Sequence, residues 1–151
     1  MANLTINGTE HEAKFNFLFS KKADEKYGEI GVNGNRTSGF HAVYMGLLQS
    51  SNDSLAAFWD CGLAHLKGKE KPSIEDIQEA IAERAEVDED TIPQLKEAYR
   101  AIDESGFFKQ QSKKLWSNLE MMKTTGDTEE EIERNLKVYN MLMEARNELT
   151  A

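Results

Sequence analysis

The chain has 151 residues, 39% of them hydrophobic and 30% charged, with two prolines, one cysteine and a formal net charge of −9. That length suits one domain with room for an appended helical segment, and the apolar fraction excludes wholesale disorder. One cysteine excludes an internal disulfide framework and a cysteine-based structural zinc site, and no apolar run approaches the roughly 20 residues of a membrane helix.

Residues 1–20 lack the apolar core of a signal peptide, so the expected address is a reducing cytoplasm. The Asn-X-Ser/Thr triplets at Asn3, Asn7, Asn35 and Asn52 then carry no glycosylation meaning. The negative charge is unevenly spread. Residues 1–69 carry seven basic and seven acidic side chains, residues 70–109 five and twelve, and residues 110–151 six and eight. A neutral front, an acidic middle and a mixed tail argue against nucleic acid and anionic membrane surfaces, both of which ask for a basic face. Protein and small-molecule partners stay open.

In chain order, Leu4-Thr5-Ile6 precedes Asn7-Gly8, a two-residue turn in which both residues tolerate positive φ. The spacing predicts a return strand over about residues 10–17, with Ala13, Phe15 and Phe17 on one side. A lone two-stranded hairpin is marginal in water, so it must pack on helices or on another chain. A short helix follows from Leu18 to Tyr27 and stops at Gly28; residues 28–39, with four glycines, read as a mobile loop.

Helical periodicity takes over downstream. Ser38 caps a helix whose inward positions are Phe40, Val43, Tyr44, Leu47 and Leu48. Asn52 or Asp53 caps the next, which carries Leu55, Phe58, Trp59, Leu63 and Leu66 and ends near Gly68. Ser73 with Asp76 opens a helix striped by Ile74, Ile77 and Ile81. Asp90 or Thr91 opens another, with Pro93 in its first turn and Ile92, Leu95, Tyr99 and Ile102 inward. Phe107-Phe108 leads into a helix around Leu115, Trp116, Leu119 and Met122, and Thr128 with Glu131 boxes the start of a last helix to about residue 149. The expected fold is mainly α: an N-terminal β-hairpin and a bundle of five to seven helices. Residues 1–109 form the main domain, and residues 110–151 form a helical hairpin or extending arm.

Chemical signatures are sparse. Cys61 and His65 stand four apart on an expected helix, a metal-ligand spacing with no second pair, and read as a core cysteine beside a half-buried histidine. Asp88-Glu89-Asp90 lacks the remaining positions of a calcium loop, and the glycines at 28, 31, 34 and 39 are not followed by a Gly-Lys-Ser/Thr. No catalytic residue, metal ligand or cofactor site is expected. The unusual feature is apolar supply near the C-terminus: Phe107, Phe108, Leu115, Trp116, Leu119, Met122, Tyr139 and Met143, with Met121 and Met141 among them. Core packing accounts for such residues equally well, but methionine and aromatics also suit a partner surface.

Three stretches resemble the tail assembly chaperones of long-tailed phages and prophages, of the type found with Gram-positive hosts. They are the hairpin Leu4–Gly8 leading through Ala13–Phe19 to Tyr27-Gly28, the helix start Lys69–Ile77, and the ending Ser105-Gly106-Phe107-Phe108-Lys109. The resemblance covers about residues 1–113. It implies a small, mostly helical, non-enzymatic chaperone that coats the tape-measure protein, keeps it soluble in the host cytoplasm and recruits tail-tube protein. It transfers no catalytic residues. Self-association is a further expectation, from the lone hairpin and the aromatic-rich tail. The other readings are a structural head–tail connector or tail-completion protein, and a small acidic adaptor.

Overall fold

The computed structural model describes residues 1–30 and 36–151. Strands β1 (Asn3–Ile6) and β2 (Thr9–Glu12) form an antiparallel hairpin paired from Asn3↔Glu12 to Ile6↔Thr9. Asn7 (φ 51°) and Gly8 (φ 80°) make the left-handed turn that matches the twist of the strands. The return strand is shorter than the alternation suggested. It ends at Glu12, and Asn16 caps helix α1 (Phe17–Tyr27) by accepting from the amides of Leu18 and Phe19. Phe17 is therefore the first helical residue, 80% exposed, and not a strand partner of Ala13.

The hairpin finds its apolar partner inside the chain. Leu4, Ile6 and Ala13 join the core, and β1 lies along helix α4 (Ile74–Asp88). Beyond its pairing with β2, Asn3 donates its amide to Glu97 Oε1 (2.6 Å) and its carbonyl accepts from Arg84 Nη1 (3.1 Å). Arg84 and Glu97 are themselves paired at 2.8 Å, so these two side chains satisfy the backbone of Asn3 at the start of β1. A bare hairpin is thus no reason for the chain to self-associate.

Two further strands, β3 (Glu29–Ile30) and β4 (Arg36–Thr37), pair antiparallel where a loop was expected. Two-residue strands are too short to leave an alternating pattern. The expected mobility of this stretch falls on residues 31–35, outside the described residues.

Helices α2 (Gly39–Leu48) and α3 (Asn52–Gly62) form the centre. Gly39 is where α1 and α2 touch: a Cβ there would stand 1.9 Å from the Ala23 carbonyl carbon, so only glycine permits the approach. Ser38 caps α2 as its spacing predicts, accepting from the His41 amide. The cap of α3 is Ser51, one residue before the expected pair. Helix α3 stops at Gly62, well short of Gly68, because the chain leaving the hairpin crosses its end: Lys14 donates its amide to the Gly62 carbonyl at 2.9 Å. A single 3-10 turn (Gly68–Glu70) then leads to α4, capped by Ser73. Helices α5 (Ile92–Glu104) and α6 (Lys109–Met121), a 3-10 turn (Met122–Thr124) and α7 (Glu129–Thr150) complete the chain.

One buried polar network fixes the helices around α2. Tyr44, on α2, is fully buried, and its hydroxyl lies 2.6 Å from Asp103 Oδ1, 2.7 Å from the Tyr99 hydroxyl and 2.7 Å from Trp116 Nε1. A phenol donates once and accepts twice. Tyr44 therefore donates to Asp103 and accepts from Trp116 and Tyr99, which leaves no capacity unused. Ser112 donates to the same Asp103 oxygen at 2.6 Å. Asp103 Oδ2 meets Arg146 of α7 at 3.6 Å, and the Arg146 guanidinium lies 4.7 Å from the centre of the Trp116 ring.

Helix α7 buries little of its length. Only Leu142 and Leu149 are buried, and Arg100 donates to the carbonyls of Leu149 and Ala151. Phe108, Leu115, Trp116, Leu142 and Leu149 all belong to the one core cluster, which therefore runs across the expected boundary at 109/110.

Tyr44→Phe leaves Trp116 Nε1 and the Tyr99 hydroxyl without their shared acceptor in a site that water does not reach. Each orphaned group costs about 1–3 kcal/mol, so chemical denaturation should show a loss of about 2–6 kcal/mol.

Candidate functional site

An aromatic ladder leads from the surface to the centre of the molecule. At the exposed end, Phe17 of α1 meets Phe107, in the turn between α5 and α6, edge to face at 5.1 Å. Phe107 is 39% exposed and touches Phe108 in the same manner at 4.9 Å. Phe108 is fully buried, stacks on Phe40 at 4.7 Å and also meets Phe19; Phe40 continues to Tyr44 at 5.3 Å, and Tyr44 to Tyr99 at 5.1 Å. The exposed pair is thus braced by a packed row of rings. Leu18, 45% exposed, extends the apolar patch along α1. Lys21 follows Phe17 by one turn on the same helical face, and a cleft of about 360 Å³ beside it is lined by Leu18, Lys21, Lys22, Glu25, Lys26 and Ala64.

The eight residues expected to form a partner surface divide. Phe108, Leu115 and Trp116 are buried in the core of this structure. Core packing claims them because the turn after α5 directs Phe108 inward, while Trp116 needs the Tyr44 hydroxyl for its indole N–H. Phe107 remains exposed. Leu119, Met122, Tyr139 and Met143 are half-buried. Tyr139 and Met143 line a cleft of about 330 Å³ with Ser112, Lys113, Trp116, Ser117, Glu120 and Arg146. Met121 and Met141 are exposed, as are Leu136 and Val138. The spacing did not single out Phe17, because it reads as the last residue of a strand.

Sequence reading also passed over Asp60. It is 2% exposed, in the apolar run from Leu55 of α3 to the C-cap Leu63, and collects Lys22 (3.1 Å), Lys26 (2.8 Å), Lys71 (3.2 Å) and the Tyr27 hydroxyl (2.7 Å). Burial opposes its charge, but hydrogen bonds from Lys26, Tyr27 and Lys22 and the charge of Lys71 outweigh it and hold its carboxyl well below the usual carboxylate range. The same burial, with the Asp60 bond and charge, drives the Tyr27 hydroxyl far up. The one legible signal was a carboxylate inside an otherwise apolar stretch. Asp60 ties α1 and the approach to α4 onto α3, and every oxygen is committed to that task.

Cys61 is buried on α3, whereas His65 lies past the helix end at Gly62, so the two do not share the helical face that their spacing suggested. Burial and the Asp60 charge push the Cys61 thiol up to about 12, the reverse of an activated nucleophile. Burial and the Lys14 charge lower the His65 pKa. Among the described residues no group of three His, Cys, Asp or Glu side chains could hold a metal ion, and no helix is long and apolar enough to cross a membrane. A cleft of about 700 Å³ between the start of α3 and α4 is rimmed by Asp53, Glu86 and Glu89 and contains neither histidine nor cysteine. The exposed rings of Phe17 and Phe107 with Leu18 offer an apolar contact surface.

Residues 3–117 match the family model described as phage tail assembly chaperone protein, TAC. No curated protein and no solved structure matches the chain.

Two outcomes follow from the buried groups. Asp60→Asn strands three lysines around a neutral amide, and because those lysines reach solvent the loss should be about 2–3 kcal/mol, below the figure for a wholly buried pair. The folded carboxyl titrates below its unfolded value, so its stabilising contribution is present above about pH 4 and fades as the pH falls further; acid unfolding of Asp60→Asn should lack that component. Cys61 should resist a thiol reagent at neutral pH in the native protein and react fully in denaturant; rapid native labelling would contradict its placement.

Proposed function

Since the chain belongs to the phage tail assembly chaperone family, we propose that it binds the tape-measure protein of its phage, keeps that long helical client soluble and recruits tail-tube subunits to it. The work takes place in the host cytoplasm during assembly and needs no catalysis. Family membership over residues 3–117 is the observation that carries this reading. The exposed Phe17–Phe107 pair with Leu18 gives it a place to act. Rigid aromatic side chains contribute contact area with little entropy left to lose, and this pair is already held by the rings beneath it.

Charge supports the same role. With −9 overall, a chain coating an aggregation-prone client adds like charge to the complex and keeps its copies apart. Self-association along the client is also part of the proposal, with the hairpin left out of that contact because its partner lies within the chain.

Co-expression with the tape-measure protein of the same phage should move that client into the soluble fraction. Phe17→Ser with Phe107→Ser should abolish this rescue while changing unfolding stability by no more than about 1 kcal/mol, as expected for exposed positions. A client equally soluble with the double variant would remove the patch from the mechanism. A client insoluble with the unaltered chain would remove the function.

A further inference from the structure

The C-terminal helix sits on the body of the protein as a separate amphipathic helix would sit in a groove. Leu142, Arg146 and Leu149 are spaced i, i+4 and i+7 and form one stripe. The leucines enter the core, and Arg146 between them pairs with Asp103 at 3.6 Å and covers the Trp116 ring at 4.7 Å. Arg100 then holds the last carbonyls of the helix. Around these fasteners the contact is incomplete. Tyr139 and Met143 are half-buried over a cleft of about 330 Å³ that runs along Ser112, Trp116 and Ser117 of α6. Helix α7 has 22 residues and buries two of them, whereas α3 has 11 and buries eight. It also lies beyond residues 3–117, the part that matches the family, while the groove it occupies, Arg100, Asp103, Ser112 and Trp116, lies within that part.

We propose that α7 is a built-in stand-in for a client helix, covering a second docking groove on α5 and α6 until a client displaces it. The groove selects an amphipathic helix with a leucine-sized residue at i, arginine at i+4 and a leucine-sized residue at i+7. The leucine-sized residues refill the two apolar positions. The arginine restores the charge facing Asp103 and the plane over Trp116, which a lysine would match only in charge. This rests on the chaperone reading and states which segment of the client is taken. Until displacement, α7 shields Trp116 and the surrounding apolar surface from other copies of the chain. It also lowers apparent client affinity by the fraction of molecules in which the groove is covered.

Hydrogen exchange on the full chain, free and in complex with the tape-measure protein, tests the idea. On complex formation, amides 136–149 of α7 should lose protection while those of α3 and α5 keep theirs. Arg146→Glu, which sets a carboxylate against Asp103, should tighten client binding about five-fold by raising the uncovered fraction. A complex in which α7 stays as protected as before, or an Arg146→Glu chain that binds no better, overturns the inference and leaves the chaperone reading intact. Failure to form any complex overturns both. Deprotection of α7 that follows protein concentration without client, together with dimer formation, assigns the groove to a second copy and likewise overturns it.

Discussion

The arrangement of this protein depends on the hydroxyl of Tyr44. It is fully buried, has one proton and two lone pairs to satisfy, and meets that requirement with groups from two other helices. Asp103 and Tyr99 come from α5 and Trp116 from α6. Because each capacity is filled, sliding any of the three helices along another breaks a bond that no water can replace. Burial and the neighbouring Asp103 raise the Tyr44 pKa, and burial with the Tyr44 bond raises that of Tyr99. Both phenols stay neutral across any ordinary pH, so the network keeps one pattern of donors and acceptors. Its formal charge is confined to the Asp103–Arg146 pair at the edge, where α7 joins.

Asp60 plays the complementary part at the other side of α3. Three lysines and a tyrosine converge on one carboxylate, drawing α1 and the segment before α4 onto the central helix. This gives a different meaning to the charge neutrality of residues 1–69. Of the seven basic side chains there, Lys22 and Lys26 are spent on Asp60, and Lys71 joins them from the acidic stretch. Near the hairpin, Arg84 pairs with Glu97, and the two also bond the backbone of Asn3 in β1. Most of the carboxylates of residues 70–109 therefore face solvent.

The elements were legible wherever a local signal decides them. Asn7-Gly8, the caps at Ser38, Ser73 and Thr128, and the stripes of α2, α4 and α5 follow from short-range geometry, and the structure has them at those residues. Boundaries set by tertiary contact were not legible. Helix α3 ends at Gly62 because another segment takes its carbonyl, and no pattern within α3 announces that. The functional surface divides in the same way. Composition picked out Phe107 and Phe108 together, but only the direction of a turn makes one a surface ring and the other a core ring. Phe17 went unread because the strand ends at Glu12, well before alternation implies, and Asn16 then caps a helix that starts at Phe17. Most partners of Asp60 and Tyr44 lie 33–72 residues away, a distance at which periodicity says nothing.

The two apolar features of the surface differ in stiffness, and this bears on how a chaperone could hold a client and then release it. Phe17 and Phe107 rest on rings that continue through Phe108 and Phe40 to the Tyr44 network, so they are fixed before any partner arrives. Methionine and leucine on α7 adapt their shape, and the helix carrying them is fastened mainly by Arg146, Arg100 and two leucines. A rigid patch gives a defined first contact, whereas a loosely fastened helix can yield its place at low cost. The link between them is Asp103, which accepts from Tyr44 through one oxygen and meets Arg146 through the other. Freeing α7 therefore removes a partner from the carboxylate that orders the core, and a helix taking its place must return that partner. In that proposal the arginine of the incoming helix is required by the wiring of the core and not by the shape of the groove alone.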